Sequence, residues 1–325
     1  MDLRALPKVE LHRHLEGSVR YGTFLEIARE AGIDLPRRGL KSRIRVGPRD
    51  PRTLRSFLKK FDLFRNLYPS RESVERVARE AVEDAARDGV VHLELRFSAV
   101  HFSRRMKCDP VDCAGWIIAA AKRVPISVKF IVTLGRHFSA AENAPSLEAA
   151  LAHRPDVVGI DVAGDEARPI QPLVPFLKRA RKAGLALTLH AGEARGPESV
   201  REALALGASR LGHGVRAVRD PKLMEEILRR RIAFELCPTS NVQTGAVRSL
   251  AAHPLNRLLR DGHRVTLNTD DPAISGIDLT HEFGVARRLG LSPGDLDALT
   301  DHAVGAAFLT VQERGELRRR ILKLR

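Results

Sequence analysis

The chain has 325 residues, 43% of them hydrophobic, enough core for two ordinary domains or one large α/β barrel of ~250 residues plus insertions. Its net charge of +15 raises the question of nucleic acid, but the basic residues are spread along the whole chain and mostly alternate with acids on helical faces. With aromatic residues at only 5%, the charge reads as an arginine-rich solvated surface with at most a weak, salt-sensitive attraction for polyanions, and no specific nucleic-acid partner is expected.

The first β-like run, residues 9–14, sits in Val9-Glu10-Leu11-His12-Arg13-His14-Leu15-Glu16-Gly17-Ser18. Strand side chains alternate faces with period two, so His12 and His14 point one way and Arg13 the other, before Glu16-Gly17 turns the chain. His-x-His alone is a weak metal signal, because most histidines bind nothing. A long excursion follows. Asp50-Pro51 predicts a helix start, with Leu54, Phe57, Leu58, Phe61, Phe64 and Leu67 at helical spacing and Pro69 as the stop. This insertion either packs onto the fold or forms a lid over it.

Further short apolar runs follow at 90–97, 126–133, 157–162, 185–190, 210–212, 232–236 and 265–268. Between them lie helical patterns at 74–88, 171–183, 197–206 and 221–230. Eight β/α units predict a (β/α)₈ TIM-type barrel with a helical insertion after the first strand. No Gly/Ser/Pro-rich linker divides the chain, so residues 1–325 read as a single domain. No apolar run approaches the ~18 residues of a membrane span, and Asp2, Arg4, Lys8 and Glu10 do not suit a signal peptide. Cys108, Cys113 and Cys237 make no disulfide framework. A cytoplasmic protein with no membrane partner is expected, and nothing in the sequence sets an oligomeric state.

In such a barrel the C-terminal ends of all strands meet at one face, where active sites sit. The first strand ends in His12-Arg13-His14, the fifth in His190-Ala191-Gly192-Glu193, the sixth in Gly212-His213-Gly214 and the eighth in Asn268-Thr269-Asp270-Asp271. Each taken singly has an ordinary structural explanation: a buried histidine, a turn, a loop residue. Ordinary explanations at four strand ends together are a poorer account than one shared site.

His12, His14, His190 and Asp270 form a nitrogen/oxygen set suited to Zn²⁺ with room for a water, which such a metal activates at neutral pH. Glu193 follows His190 after two small residues and suits a general acid/base. His213 is placed to orient the water. Asp271 falls on the opposite side from Asp270 in an extended chain, toward substrate rather than metal. His92, His101, His137, His153, His253, His263, His281 and His302 lack a matching partner set and read as structural. The fourth strand ends Val162-Ala163-Gly164-Asp165-Glu166, without the lysine that bridges two ions, so one metal per chain is expected.

The motifs V-E-L-H-R-H-L-E-G-S, D-V-A-G-D-E (161–166), L-H-A-G-E-A (189–194), R-L-G-H-G-V-R (210–216), L-C-P-T-S-N (236–241) and L-N-T-D-D-P (267–272), in that order over nearly the whole chain, resemble the adenosine deaminase family. The resemblance implies a one-zinc barrel that hydrolyses the 6-amino group of a purine. It implies zinc ligands His12, His14, His190 and Asp270, Glu193 as proton donor to purine N1, and His213 beside the attacking water. Asp271 would meet N7 and the Gly164 N–H would meet N3, with His14 also touching substrate and Glu16 toward the ribose 5′-hydroxyl. The substrate implied is a purine nucleoside, adenosine or 2′-deoxyadenosine. Glu16 departs from the pattern: many adenosine-specific members carry Asp there, and adenine-specific relatives often carry Glu. The eighth-strand segment T-D-D-P-A-I-S-G-I-D-L-T-H-E is closer to bacterial adenosine deaminases. Adenine deaminase and aminofutalosine deaminase are the alternatives within the family.

Overall fold

A computed structural model describes residues 2–36 and 38–325. It contains all eight expected strands: β1 (Lys8–His14), β2 (Val90–Phe97), β3 (Ser127–Gly135), β4 (Val157–Ala163), β5 (Ala186–Ala191), β6 (Arg210–His213), β7 (Ala233–Leu236) and β8 (Arg264–Leu267). They pair in parallel in sequence order. Between β8 and β1 the ring is joined by a parallel bridge from Arg13 to Asp270, with Asp270 N–H donating to His12 O at 3.0 Å and His14 N–H to Asp270 O at 2.8 Å. The protein is a TIM barrel.

The strands are nearly continuous runs of buried residues, as a parallel sheet covered on both faces requires. The apolar side chains of the surrounding helices pack against them, for instance Val74, Val77, Ala78 and Ala81 of the helix Arg71–Arg87. That helix starts at a Ser70 cap, and the helix Ala140–Ala152 starts at a Ser139–Glu142 capping box. The barrel interior also holds charge. Arg96 bonds Asp161 (3.1 Å) and Glu235 (2.8 Å), and Arg210 bonds Glu94 (2.5 Å) and Glu235 (2.6 Å), all of them buried.

Within the excursion between β1 and β2, the stretch from Asp50 to Pro69 differs from the single helix expected there. Its pieces are Leu54–Leu58, capped by Thr53, and a 3₁₀ turn Lys59–Phe61. Asp50 does not cap a helix because its carboxylate is engaged elsewhere, accepting the Gly47 N–H and the Lys60 ammonium at 2.7 Å each. The insertion packs onto the barrel through Phe57, Phe64 and Leu67, which are buried in the core, and Leu54, Phe57, Leu58 and Phe61 line a cavity at the mouth of the barrel. Among the described residues no helix is long and apolar enough to cross a membrane, and the three cysteines are free.

Candidate metal centre and active site

Three strand ends, those of β1, β5 and β8, deliver four side chains to one buried point. One nitrogen each of His12, His14 and His190 and one oxygen of Asp270 lie within 4.8 Å of one another. His14 Nε2 is 3.4 Å from His190 Nε2, and Asp270 Oδ1 is 3.2 Å from His12 Nε2 and 3.4 Å from His14 Nε2. The His12 approach to Asp270 is not aligned as a hydrogen bond, and that Nε2 is buried without a partner. Lone pairs converging in this way repel one another unless a cation lies between them.

The atoms behind the imidazoles fit the same reading. His12 Nδ1 meets Glu235 Oε2 at 2.8 Å, and His190 Nδ1 meets Asp161 Oδ1 at 3.0 Å. A carboxylate at Nδ1 holds the proton there and leaves Nε2 free as a ligand. Ser240 Oγ–H donates to Asp270 Oδ2 at 2.7 Å, orienting the other oxygen toward the histidines. Burial, reinforced by the neighbouring imidazoles, holds His14 well below its ordinary pKa, in the neutral form a ligand needs. Burial works against the Asp270 carboxylate, but His12, whose Nε2 is 3.2 Å away, and the other imidazoles around it outweigh burial and hold its pKa well below the usual range. The donor set therefore fits a divalent metal such as Zn²⁺, and no lysine enters it.

Beside this set the backbone turns sharply at Gly192, with φ +70°, and carries Glu193 back over the centre. Glu166 pins that turn: its Oε1 accepts the Gly192 N–H at 2.6 Å, and its Oε2 accepts the N–H groups of Glu193 at 3.1 Å and Arg195 at 2.8 Å. Burial first, then the charges of Asp270 and Glu166, push the Glu193 carboxyl up to about 8. Both effects favour its protonated form. Asn241 Nδ2–H donates to His213 Nδ1 at 2.9 Å, and His253 Nε2 meets Asn241 Oδ1 at 3.1 Å. The His213 proton then sits on Nε2, facing Glu193 Oε2 at 3.7 Å and Asp270 Oδ2 at 4.0 Å.

One placement differs from expectation. Asp271 was expected to diverge from Asp270 along an extended chain. Asp270 instead has φ +66°, and the kink lets both carboxyls line the same cavity. Asp271 Oδ1 is buried without a partner, and burial plus the charges of Asp270, Glu16 and Glu193 raise its carboxyl well above the usual range. Glu16 lies in the turn that follows β1, where Oε1 accepts the Ser98 N–H at 2.7 Å and Oε2 has no partner. Burial pushes this carboxyl up to about 7. Its side chain still borders the cavity.

That cavity is about 610 Å³ and is bordered by His14, Glu16, Gly164, Glu193, His213 and Asp271. Its volume falls within the ~300–1,000 Å³ of small-ligand sites. A second space of about 450 Å³, beside Arg4, Arg20 and Asp278, contains none of these residues.

The chain matches the adenosine deaminase family over residues 7–324. It is 41% identical to the adenosine deaminase of Klebsiella pneumoniae strain 342 and 39% identical to that of Serratia proteamaculans. These alignments cover 98% and 97% of this chain and 98% of each relative. The chain belongs to the adenosine deaminase family. It is a deaminase, a hydrolase of C–N bonds.

Solved structures of the same fold include Arabidopsis ADAL complexed with IMP, at TM-score 0.88 and 29% identity over 99% of this chain and 97% of that one. An adenine deaminase from Arthrobacter aurescens matches at TM-score 0.88 and 25% identity over 98% of both chains. A Burkholderia amidohydrolase with bound Zn matches at 0.88 and 25% over 99% of this chain and 92% of that one.

All nine candidate residues converge on one cavity, with the fully buried His12 directly beneath it. The supporting residues Glu235, Asp161, Asn241 and Glu166 were not singled out from the sequence, and His253 was set aside as structural. A detectable signal existed for two of them: Asp161 and Glu235 are charges inside otherwise apolar, buried strands. His101 and His137, also read as structural, border the outer cavity.

Proposed function

We propose that residues 1–325 act as one domain that binds a single Zn²⁺ and hydrolyses adenosine and 2′-deoxyadenosine to inosine and deoxyinosine, releasing ammonia. His12, His14, His190 and Asp270 would hold the zinc. When bound, the ion supplies Lewis-acid activation of a water molecule at neutral pH. Glu193, protonated, donates to purine N1, which draws electrons from C6 and opens it to attack. His213 uses its Nε2–H to orient the oxygen that adds to C6. Asp271, kept neutral by burial, donates to N7, and the Gly164 N–H is assigned to N3. As the tetrahedral carbon collapses, the amino group leaves as ammonia after gaining a proton.

The observation that carries this reading is the buried Glu193 carboxyl standing beside a three-histidine, one-aspartate donor set. General acid and electrophilic centre stand together, as hydrolytic deamination of an amidine requires. The Zn bound to the Burkholderia neighbour and the curated relatives' activity support metal and substrate.

A second reading, adenine deamination, rests on Glu16. Its carboxyl is committed to the Ser98 N–H, leaving one oxygen for a sugar hydroxyl. An absorbance screen of adenosine, 2′-deoxyadenosine, adenine and methylthioadenosine decides between them. Adenosine and 2′-deoxyadenosine are expected to outrun adenine, and Glu16→Ala to narrow that gap while keeping zinc. A charge-assisted hydrogen bond is worth ~1.5–3 kcal/mol, or about one to two decades in specificity. Faster turnover of adenine than adenosine by the wild type would replace this reading with the second.

A further inference from the structure

On the floor of the cavity, His213 is useful only if its proton sits on one particular nitrogen. Among the described residues its ring has a single hydrogen-bond partner, the Asn241 amide at 2.9 Å from Nδ1. Its Nε2 stands 3.7 Å from Glu193 Oε2 and 4.0 Å from Asp270 Oδ2, too far for either to fix the tautomer. A side-chain amide has a donor end and an acceptor end, and by itself can meet Nδ1 with either. Donation by Asn241 Nδ2 leaves the ring proton on Nε2, toward the reacting centre. Acceptance by Oδ1 would draw that proton to Nδ1 and leave Nε2 bare.

What decides between the two lies behind Asn241. Its Oδ1 meets His253 Nε2 at 3.1 Å, and His253 Nδ1 accepts the Leu255 N–H at 3.2 Å. Leu255 is the first residue of the helix Leu255–Arg260, so its N–H has no acceptor within that helix and turns to the imidazole. A backbone N–H can only donate. His253 Nδ1 is therefore the bare nitrogen, and Nε2 carries the proton. That proton requires Asn241 to present Oδ1, which turns Nδ2 toward His213. With the amide reversed, one N–H would face another at His253. Every link thus has one sense, from a helix end to the catalytic imidazole. Asn241 and Leu255 are fully covered, His213 is 1% exposed and His253 7%, so bulk water does not compete for these links. Burial holds His253 down to about 3, which keeps the ring neutral with one proton to place.

We propose that His253 is a positioning residue of the deaminase: anchored by the Leu255 N–H, it orients the Asn241 amide and so holds the His213 proton on Nε2, where it meets the oxygen that adds to C6. The proposal rests on the purine-deaminase reading of the floor, and it gives a role in the reaction to a side chain outside the cavity.

Nitrogen NMR of histidine-labelled, zinc-loaded protein reads the tautomer without substrate, with the His213 signals assigned by their loss in His213→Gln. The wild-type His213 ring should be protonated at Nε2 alone. His253→Phe occupies the space without a donor, so the Asn241 amide is free to turn and the His213 signals should report both tautomers. In that variant kcat on adenosine should fall about tenfold, with KM and zinc content within about twofold of wild type. His253→Gln, whose amide N–H can stand in for the imidazole Nε2–H, should recover most of the loss. Asn241→Asp keeps the shape but has no donor, so Nδ1 of His213 should be protonated and kcat should fall about a hundredfold with zinc retained. A wild-type proton on Nδ1, or a His253→Phe protein that keeps Nε2–H alone, overturns the proposal. So does an equal loss of kcat in His253→Phe and His253→Gln that follows their thermal stability, which would make His253 a packing residue. If the wild type deaminates no 6-aminopurine, the reading of the floor fails and the positioning role fails with it, whichever nitrogen holds the proton.

Discussion

Replacing Glu235 with Gln should weaken metal binding without unfolding the barrel, although Glu235 touches neither metal nor substrate. Its Oε2 meets His12 Nδ1 and Arg96 Nη2 at 2.8 Å each, and its Oε1 meets Arg210 Nε at 2.6 Å and Thr188 Oγ1 at 2.9 Å. One buried carboxylate therefore fixes the His12 tautomer and neutralises two guanidiniums. Glutamine keeps the shape but offers one acceptor oxygen and no charge. Loss of such a carboxylate behind a ligating histidine typically costs ~10–100-fold in metal affinity, about 1.4–2.7 kcal/mol. Arg96 keeps Asp161 at 3.1 Å and Arg210 keeps Glu94 at 2.5 Å, so the fold should survive. Glu235→Ala is harsher. It leaves two half-paired cations around a void, and breaking a buried pair costs ~3–5 kcal/mol. Zinc competition against a chromophoric chelator, run beside thermal unfolding of the metal-free protein, separates the two effects. Zinc affinity within twofold of wild type for Glu235→Gln, with lowered stability, would refute the reasoning and reduce Glu235 to an ionic plug of the barrel.

Glu193→Gln should retain zinc and lose ~10²–10⁴-fold in turnover, and a variant that emptied the site of metal would make Glu193 a ligand instead. The Glu193 proton donor exists below its pKa of about 8, so kcat should fall as pH rises through that value, and the alkaline limb should vanish in the Gln variant. Elemental analysis should find one zinc per chain, and prolonged chelation should abolish activity; two tightly held metals would sink the mononuclear site. Gly17→Ala would place a Cβ 1.9 Å from Asp271 Oδ1. Asp271 must then shift, so kcat/KM should drop with zinc content unchanged, and a fully active Gly17→Ala enzyme would show that Asp271 need not stand where it does.

The eight strands were legible because a parallel barrel buries both faces of every strand, and continuous apolar, β-branched runs such as 126–133 have few other uses. The metal and acid/base residues were legible for a related reason. A barrel gathers its strand ends at one face, so His12, His190, His213 and Asp270 could be assigned a common centre before any distance was known. The insertion was misread. Asp50-Pro51 has the local chemistry of a helix start, but Lys60, 10 residues on, takes the carboxylate, and Thr53 caps a shorter helix. Local signals cannot anticipate a competitor supplied by the fold.

By itself the sequence determined the periodicities, hence the barrel, and which donor types end which strands, hence the family and the chemistry of the floor. Tertiary structure alone decided what stands behind and around that floor. Glu235 reaches His12 and Asn241 reaches His213 across gaps of 223 and 28 residues. The left-handed turn at Asp270 swings Asp271 into the cavity against the extended-chain expectation. The physical reason is common to both. Hydrogen bonds and backbone kinks depend on distance in space, and only the closed barrel converts separation along the chain into proximity.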